Sequence, residues 1–255
     1  MTINLLFLLF IGILVGAASG YLGSFMVLKK MSLVGDALSH VALPGMAIAL
    51  VFGINPILGA LVALTVAVAG IWYLGEKTEV YSETLVGVFF TASLALGILI
   101  TPEPELLEAL FGNIAKINFF DGVLTLIAAA VIFLITLKLA RELLLGIVSE
   151  DLAKSTGVKM ARVNLIYLLL VGLVVALGVK FVGTLLTGAL VIVPAAAAKN
   201  LAGSLMSFQF LAAFIGVVAM VAGILFSRLL GVAPGPAVVL VSVAFFVFSY
   251  FFRRV

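Results

Sequence analysis

Long apolar runs separated by short polar breaks dominate the pattern of this chain. Nine runs reach or approach the roughly 20 residues that a helix needs to cross a bilayer, and they cover residues 3–27, 33–52, 56–74, 84–101, 119–139, 162–181, 184–198, 207–227 and 235–252. The seventh run is short and follows closely on the sixth, so eight and nine crossings are both compatible with the pattern. The pattern predicts an all-α polytopic membrane protein with a single transmembrane domain over residues 1–255.

Composition supports the membrane assignment. Hydrophobic residues make up 65% of the chain and charged residues 10%, whereas a soluble domain carries about 25% charged residues. The first run exceeds the apolar region of a signal peptide and lacks a basic segment before it, so we expect a retained helix. The chain contains no cysteine, which excludes disulfides and thiolate metal sites.

Basic residues predict the orientation. With nine crossings and an outer N-terminus, eleven of the fourteen lysines and arginines fall on the inner side. The three outer ones are Lys116, Lys180 and Arg228. The excess predicts a multi-pass protein of a prokaryotic cell membrane, with its N-terminus outside and its C-terminus inside.

The stretch 35–45 carries the most unusual chemistry of the chain, because it places an acid and the only histidine in an apolar run. Asp36 and His40 are four residues apart and share one face of a helix. Pro44 removes the N–H that would pair with the His40 carbonyl, and Gly45 allows close approach. These groups predict a cation site in the inner half of the second run. In the structural alternative, an Asp–His hydrogen bond merely steadies the helix.

Residues 149–157 predict a short helix on the inner side. Ser149 suits the N-cap, Glu150 and Asp151 suit the positive end of the helix dipole, and Gly157 suits the C-terminal stop. The sequence between them is Leu152-Ala153-Lys154-Ser155-Thr156. So short a helix is marginal alone, which favours a surface that receives force from a soluble partner. The alternative is an ordinary connecting loop.

Three further features bear on the path through the membrane. In the seventh run, Thr184 and Thr187 offer hydroxyls at membrane depth and Pro194 frees a carbonyl, so this run either packs tightly or lines a pathway. Glycines 12, 16 and 20 form a stripe that favours close helix packing within one subunit over a subunit interface. Residues 102–113 predict an outer amphipathic helix, with a sealing or a gating role.

Motifs for enzymatic activity are absent from the sequence. The chain has no phosphate-binding G-x-x-x-x-G-K-[ST], no G-x-S-x-G and no H-E-x-x-H motif. We therefore expect that the chain is not an enzyme and does not itself hydrolyse ATP. The basic pI comes from the inner loops and does not indicate a nucleic-acid partner.

Motifs along the whole chain resemble those of the membrane permease subunits of zinc, manganese and iron(II) ABC importers. The stretch 31–40 with Pro44-Gly45 is similar to the signature of that family, and six further stretches follow in the same order, at 83–87, 110–114, 149–158, 179–183, 192–196 and 234–240. Two departures remove outer acids that many relatives carry, because this chain has Leu230-Gly231-Val232-Ala233-Pro234 and Gly112-Asn113.

The resemblance implies a homodimer of permeases in membrane lipid, a pair of cytoplasmic ATPase subunits and an extracytoplasmic metal-binding protein. It also implies a fold related to the vitamin B12 and siderophore importers, no permanently bound cofactor, and Zn²⁺, Mn²⁺ or Fe²⁺ as the cargo. An Asp–His ligand set suits all three metals. The alternatives are a permease for a metal chelate, such as a siderophore or cobalamin, and a membrane-embedded enzyme or scaffold.

Overall fold

The computed structural model describes residues 5–100 and 119–252. These residues form ten helices, which we number in chain order as α1 Leu5–Leu28, α2 Val34–Val51, α3 Pro56–Lys77, α4 Ser82–Ile100, α5 Phe119–Val148, α6 Glu150–Ser155, α7 Met160–Val182, α8 Thr184–Leu201, α9 Leu205–Leu230 and α10 Pro234–Phe251. The predicted all-α membrane architecture is therefore confirmed. The predicted outer amphipathic element at 102–113 lies outside the described residues.

Eight of the described helices are long and apolar enough to span a membrane, and these are all except α6 and α8. Helix α8 contains a shorter apolar stretch, Leu186–Leu201. Its 18 residues correspond to about 27 Å along the axis, slightly less than the hydrocarbon thickness of a bilayer. It follows α7 after the single residue Gly183, whose φ of 83° lies in the region that favours glycine.

Glycines bring α1 and α9 into close antiparallel contact. Helices α1 and α9 are antiparallel, since Gly16 lies against Gly216 and Gly20 lies against Ala212. Added Cβ atoms at these two glycines of α1 would come within 3 Å of backbone atoms of α9. Only glycine permits this approach, so the predicted glycine stripe packs α1 within its own chain.

One end of the bundle collects the loops that carry basic residues, and we call it the basic end. It contains Lys29, Lys77, Lys154 and Lys199, which follow or flank helix ends that the antiparallel packing brings together. Three hydrogen bonds tie helices together here: Lys29 Nζ to Asn164 Oδ1 at 2.8 Å, Trp72 Nε1 to the Ala161 carbonyl at 2.9 Å, and Asn200 Nδ2 to Ser249 Oγ at 2.9 Å.

Lys29 is the most enclosed cation at this end. Its ammonium group donates a hydrogen bond to Asn164 Oδ1 and lies 4.8 Å from the ring centroid of Tyr167. Burial lowers the pKa of Lys29 below its ordinary value, and the nearby charge of Glu150 partly opposes this shift. The loop after α1 is therefore fixed to α7 and lies in the electrostatic range of α6.

Several helices extend beyond the predicted apolar runs, and α5 extends the furthest. Helix α5 continues to Val148 instead of ending near residue 139, although Lys138 and Arg141 interrupt its apolar pattern. Both basic residues are exposed, whereas Leu143 is fully buried, so the last turns of α5 keep an amphipathic packing face. Helix α3 likewise runs to Lys77, three residues beyond the end of the predicted run 56–74.

Candidate functional site

The site is built on the basic half of α2. Asp36 is an exposed residue of the first turn, and His40 is partly buried one turn later. The His40 ring meets the ring of Phe90 of α4 edge to face, with centroids 5.5 Å apart. Helix α4 thus covers one side of the imidazole and leaves the carboxylate of Asp36 at the surface of the subunit.

The acid and the histidine do not bond to each other. Within residues 5–100 and 119–252, neither the Asp36 carboxylate nor the His40 ring has a hydrogen-bond or ion-pair partner, and the buried Nδ1 of His40 is unsatisfied. Such an orphaned polar atom in an apolar layer is costly. The observation argues against the structural alternative, in which the two side chains would satisfy each other.

The start of α2 packs against α8. After α1 the chain turns back into the bundle, since Met31 N–H bonds to the Met26 carbonyl and Lys30 adopts a φ of 59°. Helix α8 contacts α1, with Val191 against Gly23, and Asp36 packs on Gly188 one turn earlier in α8. The first turn of α2 therefore lies beside α8.

The turn between α7 and α8 also meets α2. Ser39 Oγ lies 2.6 Å from both the Thr184 carbonyl and the Asp36 carbonyl. Thr184 begins α8, is fully buried, and its hydroxyl has no partner among the described residues. A second unsatisfied group thus lies near the candidate site. Irregular backbone at membrane depth occurs where it is buried in protein or lines a cavity.

The other candidate pathway residues occupy packed positions. Gly45 contacts Gly59 of α3, where an added Cβ would meet the Gly59 carbonyl oxygen, and Pro44 is buried inside a continuous α2. Thr187 Oγ1 donates to the Gly183 carbonyl at 2.6 Å, and Pro194 is buried inside α8. Tight packing therefore accounts for the observed contacts of these four residues.

Helix α6 forms with the predicted caps. Ser149 Oγ accepts the Leu152 N–H at 3.2 Å, and Gly157 ends the helix with a φ of 85°. Glu150 and Asp151 are exposed in the first turn, and Glu150 pairs with Lys154 at 3.1 Å. These features leave α6 at the basic end with most of its side chains directed to the surface.

Apolar side chains of α6 divide into a buried and an exposed set. Ala153 is fully buried against its own chain, and Leu152 is 49% exposed. Val148, one turn earlier at the end of α5, is 74% exposed. The two exposed side chains lie at the basic end of the bundle.

Sequence reasoning did not identify several residues that shape the site. Gly188 permits the contact between α8 and α2, because its added Cβ would lie 2.7 Å from Asp36 Cβ. Ser39 joins the two helices, and Phe90 flanks the histidine. The small-residue run around Thr187 was the available signal for Gly188, whereas the partner helix of each residue depends on tertiary packing.

Comparison with known proteins places this architecture in a family. A model of the ABC 3 transport family matches residues 3–253. The manganese transport system membrane protein MntC of Halalkalibacterium halodurans is 34% identical over 245 residues, covering 94% of this chain and 84% of that protein. The high-affinity zinc uptake system membrane protein ZnuB of Haemophilus influenzae is 32% identical over 249 residues, covering 95% of each.

A solved structure agrees with these sequence matches. PsaBC from Streptococcus pneumoniae in complex with Fab superposes with a TM-score of 0.83 at 34% identity, covering 96% of this chain and 90% of that one. Both the family match and the relatives extend over nearly all of the sequence. The chain therefore belongs to the ABC 3 transport family, and it is a membrane component of a transporter rather than an enzyme.

Proposed function

We propose that this chain is the permease subunit of an ABC importer for a divalent transition metal, Mn²⁺ or Zn²⁺ above all. Whole-length similarity to a manganese and to a zinc transport protein supports this cargo. The metal is a substrate that passes through the protein, so no permanently bound cofactor is required.

The N-terminus faces outside, and the basic end faces the cytoplasm, in agreement with the excess of basic residues there.

Asp36 and His40 contact the ion on its way through the membrane. The observation that carries this assignment is the exposed carboxylate of Asp36 together with the unsatisfied Nδ1 of His40, on one face of α2. Ionisable groups within membrane-spanning helices are rare and mostly functional. Carboxylate oxygen and imidazole nitrogen are ligands that both manganese and zinc accept.

Coordination by one subunit is incomplete, which suits a transient site. No group of three or more metal-ligating side chains exists in the described part of the chain. Asp36 is exposed at the subunit surface, so a second copy of the chain can bring its own Asp36 and His40 to the same ion. Four ligands from a homodimer replace part of the water shell, and the ion remains free to leave.

Helix α6 transmits the action of the cytoplasmic ATPase subunits. The exposed side chains of Leu152 and Val148 offer an apolar contact, while buried Ala153 anchors α6 to α5 and α7. Nucleotide-driven closure of the ATPases displaces this helix and shifts the balance between inward-open and outward-open states. An extracytoplasmic binding protein delivers the metal to the opposite end.

The test is ATP-dependent metal uptake by the complete transporter in liposomes. Asp36→Asn and His40→Ala each reduce uptake of Mn²⁺ and Zn²⁺ by at least about tenfold, since each removes a ligand. Basal ATP hydrolysis and assembly stay intact. Thr65→Ala is the control, because its hydroxyl bonds only to the Leu61 carbonyl of its own helix.

Normal uptake in either Asp36→Asn or His40→Ala contradicts the assignment. The same assay distinguishes the second candidate, a permease for a metal chelate. Uptake of a siderophore or cobalamin in place of free metal ions would favour that candidate.

A further inference from the structure

A cavity of about 510 Å³ opens at the basic end between the inner halves of α1, α5 and α9, away from Asp36 and His40. Its walls are mainly apolar, and its polar groups come from three residues, Tyr21, Arg141 and Gln209. The apolar lining includes Leu137, Leu144, Met206 and Phe210. The metal pathway proposed above makes no use of this cavity, although Val148, which belongs to the contact proposed for the ATPase subunits, also lines it.

The polar groups of the cavity are only partly satisfied. Gln209 is 4% exposed and its Nε2 has no hydrogen-bond partner among the described residues. Its Oε1 accepts from the hydroxyl of Tyr21, which is 2% exposed, at 3.4 Å. Arg141 is exposed and forms no ion pair with any residue of 5–100 or 119–252. A buried amide donor and an uncompensated cation therefore face one apolar space.

The depth of these groups follows from the packing of α5 beside α1. Phe119 stacks on Phe7 at 5.2 Å, and Phe133 meets Tyr21 at 5.3 Å between ring centroids. The difference in residue number between the α5 residue and its α1 partner is the same in both contacts, so the two helices run parallel. Arg141 and Lys29 have this same difference in number, so they lie at the same level of the bundle. The guanidinium thus lies at the membrane boundary, and Tyr21 lies about 12 Å deeper.

We propose that this cavity binds an anionic phospholipid from the leaflet at the basic end. Arg141 pairs with the phosphate at the boundary, the Gln209 amide donates to an acyl ester carbonyl below it, and the acyl chain lies along Leu137 and Phe210. Basic pockets between membrane helices on the cytoplasmic side recognise headgroups in this way. A soluble anion leaves the apolar walls and the deep amide without a partner, so the chemistry favours a lipid.

Native mass spectrometry of the purified permease tests the proposal. The protein is equilibrated in detergent with equal amounts of phosphatidylglycerol and phosphatidylcholine, and the retained lipids are counted. We expect the wild type to retain phosphatidylglycerol over phosphatidylcholine by about fivefold. Arg141→Ala and Arg141→Gln abolish this preference, while Arg141→Lys keeps most of it.

Gln209→Leu has a different signature, because the ester carbonyl is common to both lipids. It lowers retention of the two lipids by the same factor of about five. Arg162→Ala is the control, since Arg162 is exposed near the same end but does not line the cavity.

Two results overturn the proposal. One is a wild type that shows no headgroup preference. The other is an Arg162→Ala variant that loses as much phosphatidylglycerol as Arg141→Ala, which would reveal only general attraction to a basic surface. Thermal unfolding of every variant identifies those that have lost their fold. Comparison of Arg141→Gln with Arg141→Lys then shows how much of the lipid preference depends on the positive charge at this position.

Discussion

Gly188→Ala is predicted to impair transport by separating α8 from α2 beside the candidate metal ligand. An added Cβ would lie 2.7 Å from Asp36 Cβ and 2.9 Å from Asp36 Cα, whereas ordinary contacts begin near 3.4 Å. The helices must therefore move apart by about 0.7 Å. Overpacking of this kind costs about 1–3 kcal/mol, and a displacement near 1 Å at a working site costs up to about 100-fold in rate.

Gly172→Ala supplies the matched control on α7. Its Cβ would meet Val68 Cγ2 at 3.4 Å and Leu64 Cβ at 3.8 Å, which are ordinary contacts. Both substitutions replace a helical glycine with alanine, so the gain in helix propensity of about 1 kcal/mol is common to them. The difference between the two variants thus reports the clash with Asp36.

The assay measures metal uptake in liposomes together with thermal unfolding in detergent. We expect Gly172→Ala to match or exceed the wild type in stability and to transport normally. Gly188→Ala unfolds at a lower temperature and transports at least about tenfold more slowly. Equal behaviour of the two variants would refute the inferred contact between α8 and the first turn of α2.

Three further predictions follow from the proposed site and its surroundings. Lowering the pH from about 7.5 to about 5.5 slows metal uptake more than ATP hydrolysis, because a protonated His40 has no lone pair for a metal; parallel profiles would contradict this role. Leu152→Glu uncouples ATP hydrolysis from uptake, as measured by the ratio of the two rates, and an unchanged ratio would argue against docking at α6. Lys29→Met removes the bond to Asn164 and lowers stability by about 1–2 kcal/mol at neutral pH. Because burial lowers the pKa of Lys29 in the folded chain, the unfolded chain holds the proton more tightly. The stability of the wild type, measured by thermal unfolding, therefore rises with pH up to about 10.4, the pKa of a lysine in an unfolded chain. Lys29→Met lacks this rise.

The spans and the inner helix could be predicted from the sequence because both are local properties. Apolar runs of sufficient length become helices wherever no water is available to the backbone, and Ser149 and Gly157 supply caps whose partners lie within a few residues. The end of α5 was misjudged for the opposite reason. Its continuation depends on the burial of Leu143 against neighbouring helices, which the charges at Lys138 and Arg141 obscure in the sequence.

The candidate site could be predicted only in part. The spacing of Asp36 and His40 indicates a shared helix face, but their lack of mutual bonding depends on rotamers and on Phe90 of another helix. The position of the site in the bundle depends on the turn at Lys30 and on the approach of α8 at Gly188. Both features arise from contacts between different helices, which the residue pattern of a single helix does not predict.

X-ray absorption spectroscopy of the tag-free permease loaded with Zn²⁺ or Mn²⁺ can show whether Asp36 and His40 bind the transported ion. The chain has a single histidine, so imidazole scattering from a metal bound to the purified permease can come only from His40. We expect nitrogen and oxygen ligands with an imidazole contribution that disappears in His40→Ala, and a lowered metal content in Asp36→Asn. A bound metal without imidazole scattering, or an identical spectrum in His40→Ala, would contradict this assignment.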